Sequence, residues 1–298
     1  MLRPLLRRYY IRGLHRAGSI LRILAGNSAV QDTGMGAKLR FQLSEPNELF
    51  SYFYFVDDLY IRTWQKYLRL GDAFIDVGAN VGFYAGHIAN YVGADGQVLA
   101  IEPNPAMIER LQNVIKINDI SNMQLIARAA SDGVYTTTLL IGTDHGLSRL
   151  KNSTNTVSGI EVANEKQVDT VAIDSLQSQF GGRKVRGIKL DIEGHEYLAL
   201  RGAIETLTKH RPLVQMEFNP ILMGQFGVTA GDLFTLFTGI DYVAKVPQSP
   251  RSLIFDKRRV QMREFTLAEC ASGFASDVWW CPRECEAELL AAWKTKLW

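Results

Sequence analysis

Between residues 72 and 220 the chain alternates short apolar runs with longer segments of helical period, the pattern of an α/β fold. Phe74 to Val77, Val98 to Ile101, Met123 to Ala127, Ile188 to Asp191 and Leu213 to Phe218 are too brief for helices. Turn residues bound them, so they predict five strands, the first of them buried. Phe83 to Tyr91, Pro105 to Ile117 and His195 to Lys209 predict the helices between them. Pro105 suits a first helical turn. Thr136 to Ile141 and Glu165 to Ala172 read as polar-alternating strands around a long loop rich in Gly, Ser, Thr and Asn. Ahead of this core, Lys38 to Leu43 predicts a strand and Asp57 or Asp58 caps a helix running to about Arg69. The aromatic cluster Phe50, Tyr52, Phe53, Tyr54 and Phe55 reads as a packing layer. No internal repeat is present.

The chain is organised around Phe74 to Gly82, a strand that runs into a glycine turn and then a helix. Gly78 and Gly82 fall where the backbone must turn sharply and where a ligand can approach bare backbone. This is the opening half of a nucleotide-binding βαβ unit. Its spacing is Gly-x-Asn-x-Gly after Asp76, not the Gly-x-Gly-x-x-Gly that makes room for a pyrophosphate. An acid at Asp76 would repel a pyrophosphate but suits the ammonium of S-adenosylmethionine. Glu102 ends the second strand, 20 residues beyond Gly82, where an acid accepts from both hydroxyls of a ribose. Asp191 ends the fourth strand, so Asp76, Glu102 and Asp191 are expected along one rim of the sheet, where ligands of open α/β sheets lie.

The motifs DVGANVG (76 to 82), IEPNP (101 to 105) and IKLDIEGHE (188 to 196) together resemble the FkbM family of S-adenosylmethionine-dependent methyltransferases. The resemblance spans roughly residues 70 to 220. It implies a Rossmann-like class I methyltransferase, with a mostly parallel seven-stranded sheet, a closing antiparallel strand and helices on both faces. Tyr242 to Val246 and Ser252 to Phe255 are the expected closing pair. The resemblance implies a cofactor-binding set of Asp76, Gly78, Ala79, Asn80, Gly82, Glu102, Pro103 and Asp191. Asp132 stands where this class reads the adenine amine, although Asp-Gly is also an ordinary turn pair. It further implies O-methylation, commonly of a sugar or polyketide hydroxyl.

An alcohol is a poor nucleophile while protonated, so a positioned base is expected. Asp191 and His195, flanking the Gly194 turn, are the candidates, with Glu193 beside them; His195 equally fits a plain helix-start residue. Glu193 or Glu217 could grip acceptor hydroxyls, and His145 and Arg149 in the long loop are lesser substrate candidates. The rim acids suit a hydroxyl-rich ligand, and no metal is assigned. Three readings compete with an O-methyltransferase acting on a sugar, glycan, glycolipid or similar small metabolite. They are a tRNA base methyltransferase, a non-catalytic cofactor-binding scaffold at a membrane surface, and a nicotinamide dehydrogenase. The glycine spacing disfavours the last. A formal net charge of +2 argues against a general nucleic-acid binder.

The 298 residues, 47 % of them apolar, support a large buried core. Residues 1 to 35 read as a basic leader or amphipathic helix; within 1 to 24, six arginines with no acid suit peripheral membrane or partner contact, targeting, or a first helix packed on the domain. Residues 36 to 256 form the expected methyltransferase domain and 257 to 298 an extension packed on it. No apolar run reaches the ~18 residues of a membrane span. Cys270, Cys281 and Cys285 match neither a disulfide framework nor a zinc set, which makes the cytoplasm the default location. Trp279 and Trp280 are expected to dock the last helix rather than stack on a sugar.

Overall fold

The apolar runs between residues 72 and 220 become strands of one eight-stranded sheet. The computed structural model describes residues 9–11, 28–45, 48, 52, 58–143, 147–152, 161–249, 254–256, 260–272 and 275–294. In chain order, β1 (Tyr9–Ile11), β2 (Ser28–Asp32), β3 (Lys38–Gln42) and helix α1 (Asp58–Tyr67) come first. They are followed by β4 (Ala73–Val77), α2 (Phe83–Val92), β5 (Gln97–Ile101), α3 (Pro105–Ile117) and β6 (Met123–Ile126). A second sheet holds β7 (Ala129–Ala130), β8 (Thr136–Gly142), β9 (Ser148–Leu150) and β10 (Val162–Val171). The main sheet resumes with β11 (Val185–Leu190), α4 (Glu196–Arg201), α5 (Ile204–His210) and β12 (Leu213–Phe218). Then come α6 (Pro220–Gly224), α7 (Ala230–Gly239), β13 (Tyr242–Gln248), β14 (Ile254–Asp256), β15 (Gln261–Glu264), β16 (Ser276–Pro282) and α8 (Glu286–Lys294).

The spatial order is β15-β13-β16-β12-β11-β4-β5-β6. Neighbours from β6 to β12 are parallel, and β16 lies antiparallel between β12 and β13. The chain leaves β4 towards β5 and returns on its other side at β11, so the switch in strand order falls beside β4. Such a switch opens a crevice at the carboxyl ends of the strands. All five residues of β4 and all six of β11 are buried, as a parallel strand covered on both faces requires. One core packs α1, α2, α3 and α8 against one face, and a second packs α4, α5 and α7 against the other.

Of the expected closing pair, β13 lies between β15 and β16, whereas residues 254–255 pair with β1 and 252–253 lie outside the described residues; alternation along β16 buries Trp279 in one core and Trp280 in the other. Trp279 packs 5.1 Å from Trp64 and edge-on to Trp293 of the last helix, while Trp280 stacks flat on Phe237 at 4.2 Å. Residues 276–282 are thus a strand of the main sheet. The β2–β3 hairpin buries Met35, Ala37, Leu39 and Phe41. Residues 9–11, within the expected basic helix, form a strand paired with β14; the rest of 1 to 24 lies outside the described residues. The single helix expected from His195 to Lys209 breaks at Gly202. A side chain there would collide with the Ser131 carbonyl, and Asp174 accepts from the Glu205 and Thr206 amides to start a new helix. β15 is an eighth strand beyond the expected seven. Of the aromatic cluster, Tyr52 packs edge-on to Phe41 at 5.7 Å; Phe50, Phe53, Tyr54 and Phe55 lie outside the described residues. No helix among the described residues is long and apolar enough to cross a membrane.

Candidate active site

A cavity of about 300 Å³ opens at the carboxyl ends of β4, β5 and β11, roofed by residues 147–150 of the second sheet. Its floor is the turn after β4. Gly78 and Gly82 have φ of +74° and +84°, a region that penalises side chains. The glycine at 78 makes room for protein rather than ligand: a Cβ there would stand 2.0 Å from the Asp191 carbonyl oxygen. The turn after β11 is bound down further by the Asp191 amide, which donates to the Val77 carbonyl at 3.0 Å. Two rim loops are thereby fixed against each other.

Gly78, Asn80, Glu102, Pro103, Asp191, Glu193 and His195 all line the cavity. Glu102 is 5 % exposed; one carboxylate oxygen accepts from the Asn80 amide at 2.9 Å and the other from the Asn104 amide at 2.8 Å. Those bonds aim it, and remaining lone pairs are free for a diol. Burial pushes its pKa up to about 7. Ile101, Met107, Ala129, Ala130 and Leu139 supply apolar walls. Asn104 caps α3 by accepting from the Ala106 amide, and its Nδ2 donates to Ser148 Oγ at 2.9 Å, tying roof to floor.

Asp76 does not reach the cavity. It is 1 % exposed, and its Oδ2 accepts from the Ala85 amide in the first turn of α2 at 2.9 Å. The reason is strand geometry. Asp76 is paired in register with Lys189 of β11, so both side chains share the face covered by α2. Lys189, 5 % exposed, places Nζ 3.0 Å from Asp191 Oδ2 and 4.6 Å from the centre of the Tyr84 ring. Burial opposes its charge, but Asp191 and Asp76 outweigh this and hold it protonated. The sequence reading overlooked Lys189, although a lysine within an apolar buried strand is itself the signal of a buried ion pair.

Asp132 is likewise absent from the cavity wall; its carboxylate faces Arg201 at 3.5 Å. Ala79 and Gly82 lie in the turn behind the wall, with the Ala79 amide donating to the Ile101 carbonyl at 3.2 Å. His145 lies outside the described residues. Glu217 is not on the wall, yet a carboxylate oxygen of each of Asp191, Glu193 and Glu217 lies within 4.8 Å of the others. Burial first, then its acidic neighbours, push Glu217 up to about 8; burial and Asp191 push Glu193 up to about 7. Glu193 also takes φ of +57°, a strained conformation for a residue with a Cβ. Glu196 holds that loop, accepting from the Ile192 and Gly194 amides.

His195 is 5 % exposed, with Nε2 3.0 Å from Ser131 Oγ and its ring edge-on to Phe226 at 4.9 Å. Nδ1 is buried with no hydrogen-bond partner among the described residues. Burial pulls its pKa down to about 4, so the ring is neutral at pH 7 and one nitrogen can accept a proton.

These acids predict how stability varies with pH. Glu102, Glu193, Glu196 and Glu217 keep their protons to about 7 or 8 in the folded chain. The unfolded chain releases them near 4, so the folded state binds more protons and stability falls as pH rises. Below about 6.5 the buried histidines oppose this, since the unfolded chain protonates them first. Between pH 6.5 and 8 only the acids act. Without ligand, the melting temperature is therefore expected to drop by several degrees across that window; a flat or rising trace in a thermal scan would contradict it.

Topology and cavity together define a Rossmann-like α/β domain with a ligand crevice at the switch in strand order. A sequence model of the Methyltransferase FkbM domain matches residues 76–244, more than half of the chain, and the chain belongs to that family. It is 35 % identical over 66 residues to protein-L-isoaspartate O-methyltransferase 2 of Archaeoglobus fulgidus, covering 22 % of this chain and 30 % of that protein. Identity to the corresponding Methanococcus aeolicus enzyme is 32 % over 59 residues, 20 % of this chain and 27 % of that one. The chain thus spans less than a third of the length of these relatives. Among solved structures it is similar to the methyltransferase FkbM of Methylobacillus flagellatus KT, with a TM-score of 0.43 and 15 % identity over 90 % of this chain and 59 % of the other.

Proposed function

We propose that the protein transfers a methyl group to a hydroxyl of a sugar, glycan, glycolipid or similar small metabolite. The observation that carries this reading is His195, a buried neutral imidazole on the cavity wall whose Nδ1 has no partner among the described residues. It shares that wall with Asp191 and Glu193.

S-adenosylmethionine, when bound, supplies an electrophilic methyl group on a sulfonium. The residues fit that cofactor. Glu102 would accept from the ribose hydroxyls, and Ile101, Met107 and Ala130 offer apolar surface for a base. The acids around Asp191 favour a cation. Asp76 contributes from behind, by fixing the start of α2 and sharing Lys189 with Asp191. The chain's main task is to hold an acceptor oxygen in line with the methyl group. His195 takes the hydroxyl proton as the new bond forms, and Asp191 and Glu193 accept hydrogen bonds from neighbouring hydroxyls.

The test is calorimetric titration with S-adenosylhomocysteine, followed by a screen of hydroxylated acceptors with labelled methyl donor. Micromolar binding is expected, weakened at least tenfold in Glu102→Ala, because both ribose bonds and the turn they brace are lost. Unchanged affinity in that variant would remove Glu102 from the site. Label appearing on nitrogen rather than oxygen would overturn the acceptor class.

A further inference from the structure

Four cationic side chains are buried among the described residues: Arg149, Arg186, Lys189 and Lys245. Three have carboxylate partners within 4.0 Å: Arg186 with Asp72 and Glu288, Lys189 with Asp191, and Lys245 with Glu264 and Glu286. Arg149 has none. It is 6 % exposed, lines the cavity from β9, and its buried Nη2 has no hydrogen-bond partner among the described residues.

Unlike a buried lysine, a guanidinium cannot shed its proton to escape burial. Holding one without a partner is costly unless an anion meets it there. Glu193 does not serve. It feels the charge of Arg149, yet no ion pair joins them and the balance at Glu193 remains on the side of protonation, near 7. The fork of donors fits a carboxylate or phosphate with two parallel bonds.

We propose that Arg149 is the anion-binding residue of this cavity, holding a carboxylate or phosphate group brought in by the ligand. Two ligands could bring it: an acidic acceptor, such as a uronic acid or a sugar phosphate, or the carboxylate of the cofactor's methionine moiety. It lines the same cavity as Asp191, Glu193 and His195, the groups proposed to meet the acceptor, which favours the acceptor. The inference rests on reading the cavity as a site for donor and acceptor together.

The experiment compares wild type with Arg149→Met and Arg149→Lys in two titrations. S-adenosylhomocysteine and 5′-methylthioadenosine, which lacks the amino-acid carboxylate, are titrated first. Glucuronate and inorganic phosphate are then titrated into protein saturated with S-adenosylhomocysteine. If the acceptor brings the anion, Arg149→Met binds S-adenosylhomocysteine as wild type does and loses glucuronate or phosphate binding at least tenfold, with partial recovery in Arg149→Lys. If the cofactor brings it, Arg149→Met weakens S-adenosylhomocysteine at least tenfold and leaves 5′-methylthioadenosine unchanged. Either result supports the assignment and names the source. Should both variants bind all four probes as wild type does, the assignment falls. Neither titration requires turnover, so a failed anion site leaves the methyl-transfer reading standing. A failed acceptor screen likewise leaves anion binding measurable.

Discussion

Replacing Gly78 by alanine is expected to abolish S-adenosylhomocysteine binding and to lower the melting temperature by on the order of 10 °C. Two costs add. At φ of +74° a side chain imposes strain of about 1–3 kcal/mol. The new Cβ would also stand 2.0 Å from the Asp191 carbonyl oxygen and 2.9 Å from Ile192 Cγ2. The first of these is backbone, so it cannot rotate away. Relief requires the turn after β4 to part from the turn after β11, and that movement takes Asn80, Asp191 and Glu193 out of their common cavity. Gly182→Ala is the control, since Gly182 has nearly the same φ, +76°, with nothing within 4 Å of a built Cβ. It should cost about 1–2 kcal/mol and leave binding intact. Equal effects at the two positions, read by thermal unfolding and calorimetry, would show that loop contact contributes nothing.

His195→Ala is expected to cut turnover by ~10²–10⁴-fold, the usual worth of a positioned base, with S-adenosylhomocysteine affinity kept within about threefold. The split follows from geometry. The cofactor surfaces derive from Glu102, the turn after β4 and the apolar wall, none of which leans on the imidazole. Ser131 loses its Nε2 contact but keeps Tyr135 Oη at 2.5 Å, so the variant should still fold. Because the ring is neutral down to about pH 4, its protonation should not limit the rate near neutrality. The acidic limb of the pH–rate profile should instead fall near 7, where Glu193 and Glu102 ionise. Wild-type turnover in His195→Ala would return the residue to a structural role at the start of α4.

Much of the fold was legible because it follows from local order. Five apolar runs, each too short for a helix, became β4, β5, β11 and β12, buried on both faces, and the half-exposed edge strand β6. The glycine turn and Asn104-Pro105 are backbone requirements that a sequence states directly. Glu102 and Asp191 were placed correctly on the rim because each stands at or just past the end of a strand. Asp76 was misplaced by the same logic. It stands one residue short of the end of β4, and strand alternation turns it under α2 instead of into the cavity.

The failures share one cause: they depend on which distant segment supplies a partner. Residues 276–282, not 252 to 255, fill the space between β12 and β13, because alternate tryptophans complete two cores built from helices far apart in the chain. Lys189 could be seen as an oddity in an apolar strand, but its role exists only because β4 lies beside β11 in a register that sets it against Asp76. Arg149 reads from the sequence as a lesser substrate candidate in a loop; folding buries it without a carboxylate partner among the described residues. The sequence by itself determined the alternating α/β core, the glycine turn and the acids at the strand ends, since periodicity and backbone preference act within a few residues. Only the tertiary structure decided which acids share a cation, which face the cavity and which cation is left unpaired, because charge balance in a buried site is settled among side chains that the sheet brings together from far along the chain.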